Sequence, residues 1–221
     1  MSKLKFEPTS NQVGCFIYTD LKNVKKEQIN EIKNLLNKYG VLFFKNQSLN
    51  PEQYVNFSSN FGTPAKYPML KPHKDFKDIY VIERKKTDTG KSFGEGPHTD
   101  SSYLENPPRF TFLQAIDVPE EGKGNTLFYN QFLAYEALPK DIKQKIENLK
   151  GVFSSQGKIA QTRTLRMADH GTSGTKEIRS EHNLVQLING RKTIYCSPGH
   201  VVGIVNLSSE QEKLIDFLSS H

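Results

Sequence analysis

Short segments rich in β-branched and aromatic residues dominate the middle of the chain, and helices do not alternate with them one for one. This pattern argues against a parallel sheet wound between crossover helices. It favours an antiparallel sandwich or jelly roll, so the sequence predicts a mostly β fold with flanking helices. The predicted strands are 78–82, 109–115, 125–129, 184–188 and 192–195.

Apolar spacing and capping patterns predict the helices. Apolar residues at helical spacing ahead of Gly40 predict a helix over 25–39, followed by a buried strand at 41–44. Asn50-Pro51-Glu52-Gln53 combines a capping box with a proline at the first helical position, which predicts a second helix over 51–61. Further helices are predicted over 131–148 and after a capping box that begins at Ser208.

The composition is typical of a single folded domain. The 221 residues are 35% hydrophobic and 24% charged, which is enough to build one core. No internal repeat or boundary marks a second domain, so we expect one domain over 1–221. Within it, 156–181 contains scattered glycines and no apolar period, which predicts a lid or mobile loop.

Cysteine use and apolar runs indicate a cytoplasmic protein. Cys15 and Cys196 form no CxxC pair, so neither a disulfide framework nor a cysteine zinc site is indicated. The first residues lack an apolar signal segment, and every apolar run is too short to cross a membrane. The formal charge of +6 could suit nucleic acid, but acidic residues are interleaved with the lysines. We expect no nucleic-acid or membrane partner, and homo-oligomerisation stays open.

The segment 94–103 carries the strongest chemical signal. On an extended chain, side chains two residues apart share a face, so His98 and Asp100 can converge while Thr99 points away. Two histidines and one carboxylate on one face of a metal are the non-haem Fe(II) oxygenase arrangement. The tripeptide alone is weak evidence, since a surface histidine beside an aspartate fits it equally well.

The surroundings of this tripeptide resemble those in the Fe(II)- and 2-oxoglutarate-dependent dioxygenases of the taurine dioxygenase and 2,4-D dioxygenase family. The order and spacing of several segments match that family along the whole chain. The matching segments are 41–62, 96–108, 115–119, 122–130, 135–139, 181–185 and 190–195.

The resemblance implies a double-stranded β-helix, a jelly-roll variant with the metal inside one mouth. It implies that His98 and Asp100 are catalytic Fe(II) ligands and that Thr126 binds a carboxylate of the cosubstrate 2-oxoglutarate. Tyr67 and Tyr195 fall at positions that line the substrate side. Without the resemblance, Thr126 would be interpreted as a strand residue and the two tyrosines as core or rim.

The implied reaction uses O2 and 2-oxoglutarate to hydroxylate a small, anionic organic substrate, with release of succinate. Taurine itself is not the expected substrate, because Tyr67 stands where taurine dioxygenase has a histidine that binds the sulfonate, and Gly94 stands where it has an asparagine. The Asp100 carboxylate argues against the related halogenases, whose metal site gives up this ligand to halide.

The end of the chain departs from the family pattern. The family's second metal histidine and its 2-oxoglutarate arginine lie beyond the helix that ends here at His221, so we expect the intact chain to continue and the jelly roll to be incomplete. His200 is the first candidate to substitute as third ligand. A non-catalytic jelly-roll binding protein derived from the family is the alternative function.

Overall fold

The computed structural model describes residues 4–162, 176–207 and 209–221. These residues belong to two compact units. The first consists of Met1–Pro64 and Phe110–Asn130, and the second of Ala65–Arg109 and Gln131–His221. Among the described residues, no helix combines the length and apolarity that spanning a bilayer requires.

The first unit contains a three-stranded sheet and two helices. Strand β1 (Lys5–Pro8) pairs antiparallel with β2 (Cys15–Tyr18), which pairs parallel with β3 (Leu42–Phe44). Helix α1 (Lys26–Tyr39) makes the crossover that a parallel pair requires, and α2 (Pro51–Ser59) follows β3. Gly14 precedes β2 at φ +114°, and a Cβ there would lie only 2.6 Å from the Phe43 ring.

The core of the first unit lies on one side of the amphipathic helix α1. Ile29, Ile32 and Leu35 are buried at helical spacing. They belong to a buried cluster that also includes Cys15 and Ile17 of β2. Helix α2 contributes Phe57, whose ring meets the Phe112 ring edge to face with centroids 6.0 Å apart.

The second unit is built on a three-stranded antiparallel sheet. Its middle strand β4 (Lys150–Ser154) lies between β5 (Arg179–Asn183) and β8 (Val201–Ile204). Strands β6 (Val185–Ile188) and β7 (Arg191–Ile194) form a separate hairpin. Asn189 and Gly190, which connect β6 to β7, both have positive φ, as a two-residue type I′ hairpin turn requires.

Three α-helices among the described residues also belong to the second unit. They are α3 (Gln131–Ala137), α4 (Lys140–Ile146) and α5 (Gln211–Ser220). Phe153 of β4 is fully buried in a cluster with Ile146 of α4 and with Leu214 and Leu218 of α5. The sheet and these helices therefore share one core.

The predicted helices are confirmed with small shifts of their ends. Helices α1 and α2 match 25–39 and 51–61, and the predicted capping box is present, because Asn50 and Gln53 exchange backbone-to-side-chain hydrogen bonds of 3.0 and 2.8 Å. The 131–148 prediction is met by α3 and α4. The predicted last helix is confirmed as α5, which begins at Gln211, whose Oε1 accepts the Ile204 N–H. Ser208, where its capping box was predicted to begin, lies outside the described residues.

Three predicted strands are not formed. Strands β6 and β7 confirm the predictions at 184–188 and 192–195, but 78–82, 109–115 and 125–129 contain no strand residues. Their β-forming side chains are not enough, because a strand also needs a neighbouring strand to complete its hydrogen-bonded ladder. The described strands form three small sheets, and the jelly roll stays a prediction.

The predicted loop at 156–181 is wrong at both ends. Residues Lys158–Thr162 form a 3₁₀ helix, and β5 begins at Arg179. Ile159 and Thr162 are buried, which anchors the 3₁₀ helix to the second unit. The middle of the predicted loop, 163–175, lies outside the described residues.

Candidate active site

His98 and Asp100 converge in the second unit. The His98 Nε2 atom lies 3.2 Å from the Asp100 Oδ1 atom. The His98 Nδ1 atom lies 2.8 Å from the Gly96 carbonyl oxygen. A carbonyl can only accept a hydrogen bond, so Nδ1 carries a proton and Nε2 is the atom presented to the carboxylate. The expected convergence of these two side chains is confirmed.

The pair is electrostatically coupled and reachable from solvent. The hydrogen bond that His98 donates to the Asp100 carboxylate raises the pKa of His98, while burial of the ring acts in the opposite direction. The side chains are 25% and 47% exposed, so a small ion can reach them. A metal ion binds the neutral imidazole and the ionised carboxylate. A cation bound at Nε2 would therefore replace the proton on that nitrogen and balance the negative charge of Asp100.

The donor set fits two positions of a metal site. An imidazole whose other nitrogen donates to a backbone carbonyl has its tautomer and ring orientation fixed for binding through Nε2. Asp100 supplies a carboxylate oxygen beside it. In the part of the chain that the structure describes, no three His, Cys, Asp or Glu residues form a cluster able to hold a metal ion.

Two long-range hydrogen bonds hold the segment that carries the pair. The Thr99 N–H donates to the Ser197 Oγ at 2.9 Å, and the Gly94 N–H donates to the Thr162 Oγ1 at 3.1 Å. Ser197 and Thr162 are both buried. The segment 94–100 has no regular secondary structure, so these bonds restrict its backbone in place of a ladder or a helix.

His200 lies beside the pair but does not complete it. Its ring is buried, and its Nδ1 lies 3.1 Å from the Ser154 carbonyl oxygen. The His200 and His98 rings meet edge to face with centroids 6.4 Å apart, and the Tyr103 ring approaches His200 at 5.0 Å. Because no three-residue metal cluster exists among the described residues, the structure gives His200 no role as third ligand.

Tyr67 and Tyr195 both pack against the core of the second unit. The Tyr67 ring contacts Tyr80 and Phe93 edge to face, and Tyr195 packs on Phe153 and His182. Burial raises the pKa of Tyr195 to about 12. The Tyr195 hydroxyl is buried without a hydrogen-bond partner among the described residues, so it is a polar atom still to be satisfied.

Thr126 belongs to the first unit, in the exposed stretch 113–129. The structure therefore brings His98 and Asp100 together in the second unit and places Thr126 in the other.

Sequence reasoning missed Ser197, Gly199 and Thr162. Ser197-Pro198-Gly199 is recognisable as a turn sequence, but nothing in it names Thr99 as a partner. The contact joins residues 98 positions apart and follows from the fold alone. In the sequence, Gly94 stands out only because it replaces an asparagine. In the structure it lies beside His98, since a Cβ at Gly94 would lie 3.4 Å from the His98 Cε1.

Solved structures with a similar fold identify the class of protein. The structure superimposes on the crystal structure of a taurine dioxygenase from Burkholderia xenovorans with a TM-score of 0.73 and 25% identity, over 99% of this chain and 73% of that one. The fold is therefore that of these dioxygenases. Residues 5–221 match the model of the family "Taurine catabolism dioxygenase TauD, TfdA family". The chain belongs to this family.

Sequence relatives agree with this assignment. An alpha-ketoglutarate-dependent sulfonate dioxygenase of Saccharomyces cerevisiae is 26% identical, over 99% of this chain and 55% of that protein. An alpha-ketoglutarate-dependent 2,4-dichlorophenoxyacetate dioxygenase of Cupriavidus pinatubonensis is 30% identical, over 56% of this chain and 48% of that protein. The chain spans about half the length of such relatives.

Proposed function

We propose that this chain is part of an Fe(II)- and 2-oxoglutarate-dependent dioxygenase that hydroxylates a small, anionic organic substrate. The observation that carries the proposal is the convergence of His98 Nε2 and Asp100 Oδ1, 3.2 Å apart, in a chain of this family. This pair offers the nitrogen and oxygen donors of a facial Fe(II) site.

Each predicted site residue has a definite task in this proposal. His98 and Asp100 would hold Fe(II), and Thr126 would donate its hydroxyl hydrogen to a carboxylate of 2-oxoglutarate. Tyr67 and Tyr195 would line the substrate side, where the buried Tyr195 hydroxyl has a hydrogen bond to offer. When bound, iron and 2-oxoglutarate supply the oxidising chemistry, in which one oxygen atom of O2 enters succinate and the other the product, with loss of CO2.

The chain's own residues control how this chemistry proceeds. The Gly96 carbonyl keeps the proton of His98 on Nδ1, which leaves Nε2 for the metal. The Asp100 carboxylate offsets part of the charge of the cation. Both candidate ligands come from the one segment 94–100, so any further ligand and the groups that hold the cosubstrate would have to come from other parts of the protein.

The substrate class follows from the relatives and from charge. Sulfonates and 2,4-dichlorophenoxyacetate, for which two of the relatives are named, are organic anions. The net charge of +6 favours the approach of an anion. Tyr67 stands where taurine dioxygenase has a sulfonate-binding histidine, so we propose an anion other than taurine. We assign no nucleic-acid or membrane partner and place the protein in the cytoplasm.

The domain proposal rests on the extent of the family match. The matched residues, 5–221, include both compact units. We therefore assign both units to one dioxygenase domain with a double-stranded β-helix.

A non-catalytic binding protein derived from the family is the second candidate. It is favoured by one observation: the described residues supply two metal ligands and no cluster of three. Both candidates predict binding of a small anion, and only the dioxygenase predicts turnover of 2-oxoglutarate.

Succinate release distinguishes the two candidates. The protein is incubated with Fe(II), 2-oxoglutarate and a panel of sulfonates, phosphonates, sulfate esters and carboxylates, and succinate is quantified. We expect one substrate class to stimulate release. His98→Ala should reduce it to the background without protein, because the first ligand is lost. His73→Ala, in a loop of the same unit, is the control and should retain it. Equal release by His98→Ala and the parent would disprove the proposal.

A further inference from the structure

The turn Ser197–His200 supports the segment that carries His98 and Asp100. We propose that Ser197 is a positioning residue, whose hydroxyl fixes the peptide between the two ligands and thereby sets the affinity of the site for a divalent metal. The inference rests on the proposed function, because it assigns metal binding to this pair. It adds a residue that the ligand pattern does not contain.

A hydrogen bond from Thr99 connects the segment that carries the two ligands to Ser197. Thr99 is the residue between the two ligands, and its N–H donates to the Ser197 Oγ at 2.9 Å. This N–H belongs to the peptide that joins His98 to Thr99, so rotation of the peptide would change ψ of His98 and φ of Thr99 and with them the placement of the two side chains relative to each other. Ser197 is 2% exposed, so water cannot readily replace its oxygen when the bond breaks. One buried hydroxyl therefore controls the separation of two ligands.

The His98 side chain also packs closely against Gly199 of the same turn. A Cβ placed on Gly199 would lie 2.8 Å from the His98 Cβ and 3.0 Å from the Ile159 Cβ, closer than such atoms normally approach. The same Cβ would lie 3.3 Å from the Pro97 carbonyl oxygen. The turn backbone therefore lies directly against the His98 side chain. The hydrogen bond to Ser197 and the contact with Gly199 therefore restrict the segment from two residues of the same turn.

The turn is itself attached to regular structure. The Ser154 N–H, at the end of β4, donates to the His200 carbonyl at 2.8 Å. The His200 Nδ1 lies 3.1 Å from the Ser154 carbonyl, and the Ile159 N–H donates to the Gly199 carbonyl at 3.0 Å. Support thus passes from the middle strand and the 3₁₀ helix through the turn to the ligands. A metal site needs such support to hold its geometry.

Ser155 provides a matched control. It is fully buried in the same unit, and its Oγ also accepts one backbone N–H, that of Ile178, at 3.0 Å. Replacing either serine by alanine removes one buried acceptor and should cost about 1 kcal/mol of folding stability. The acceptor of Ser155 serves a segment that carries neither ligand. Only Ser197→Ala should therefore change metal binding.

The test is a titration of the 221-residue protein with Mn²⁺, in which free Mn²⁺ is followed by electron paramagnetic resonance. We expect Ser197→Ala to weaken Mn²⁺ binding about tenfold, the lower end for loss of a group that supports a ligand. Ser155→Ala should bind as the parent does. Thermal unfolding verifies that each variant is folded. If the alanine variant does not fold, Ser197→Cys retains the side-chain shape with a weaker acceptor, and should weaken binding less.

Hydrogen exchange of the Thr99 amide gives a readout without metal. It should be faster in Ser197→Ala than in Ser155→Ala, because only the former loses its acceptor. Parent-like Mn²⁺ affinity in a folded Ser197→Ala protein, with binding abolished by His98→Ala, would overturn the inference and leave the proposed function intact. If the parent shows no His98-dependent Mn²⁺ binding, the proposed function fails, and this inference fails with it.

Discussion

Two irregular segments of the molecule, 94–100 and 113–129, differ in how they are held. The first is tied to buried side chains of its own unit through Ser197 and Thr162. The second exposes large apolar side chains to solvent: Leu113 and Leu127 are each 73% exposed and Ile116 is 84% exposed. Both segments carry predicted site residues. The backbone of the first donates to buried hydroxyl groups, whereas the second is attached through the Gln114 side chain, which donates to the Leu49 carbonyl, and through the contact of the Phe128 and Phe43 rings.

The difference shows what turns a loop into a site. Side-chain acceptors can restrict a backbone without a ladder, provided that they are buried and carried by regular structure. In 113–129, β-forming residues point into solvent because no strand pairs with the segment. The preference of these side chains for β-strands is therefore not enough to form a strand from this segment.

We expect the largest effect from a substitution in the turn that supports segment 94–100. Gly199→Ala introduces a Cβ that would lie 2.8 Å from the His98 Cβ, so the turn and the His98 side chain must move apart. We expect a loss of about 1–3 kcal/mol of unfolding free energy, as for other overpacked sites. Denaturant unfolding measures it. A parent-like midpoint would show that the close contact is absent in solution.

Thr126→Val tests whether the second segment carries function despite its exposure. The change retains the β-branched shape and removes the hydroxyl. If Thr126 binds 2-oxoglutarate, the apparent constant for 2-oxoglutarate should rise roughly tenfold, the size of one charge-assisted hydrogen bond. Steady-state succinate formation over a range of 2-oxoglutarate concentrations measures this constant. An unchanged value would assign Thr126 to structure alone.

Thr162→Val should weaken the other attachment of the first segment. The Thr162 Oγ1 accepts the Gly94 N–H and donates to the Ile159 carbonyl at 2.8 Å, so the variant loses both hydrogen bonds from a buried site. We expect a loss of about 1 kcal/mol of unfolding free energy. Thr162→Ser keeps the hydroxyl and is the control. A valine variant as stable as the serine variant would contradict the described attachment.

Leu127→Ser should have the smallest effect. The side chain is 73% exposed, so a polar replacement removes little buried apolar area. We expect the unfolding free energy to change by less than about 0.5 kcal/mol. Calorimetry of the parent and the variant over a range of protein concentrations measures it. A loss above about 1 kcal/mol would mean that this leucine is covered by protein in solution, and would remove the contrast between the two segments.

Features that depend on neighbouring residues could be predicted from the sequence. The start of α2 follows from the Asn50 cap and Pro51, which act within a few residues, whereas its end lies two residues before the predicted one. The convergence of His98 and Asp100 also follows from neighbouring positions on an extended backbone. Such features depend on no distant part of the chain, so pattern is sufficient to predict them.

Features that depend on a distant part of the chain could not be predicted from the sequence. Residues 109–115 alternate as a strand does, but Phe112 is held by the rings of Phe57 and Phe61 instead of by a neighbouring strand. The roles of Ser197 and Thr162 were missed for the same reason, since their partners lie 98 and 68 positions away in sequence. Side-chain type does not encode which remote backbone a hydroxyl will meet.

The long sequence separation of the bond between Thr99 and Ser197 also has a consequence for biosynthesis. During translation, His98 and Asp100 leave the ribosome 98 residues before the serine that fixes them. At about 5–20 residues per second, the ligand pair exists for roughly 5–20 s without its support. The β6–β7 hairpin, which closes over two residues, needs only microseconds once it is made. Metal that reached the nascent chain before Ser197 was made would therefore meet an unsupported pair, so we expect productive loading only after Ser197 has been made and has packed against Thr99.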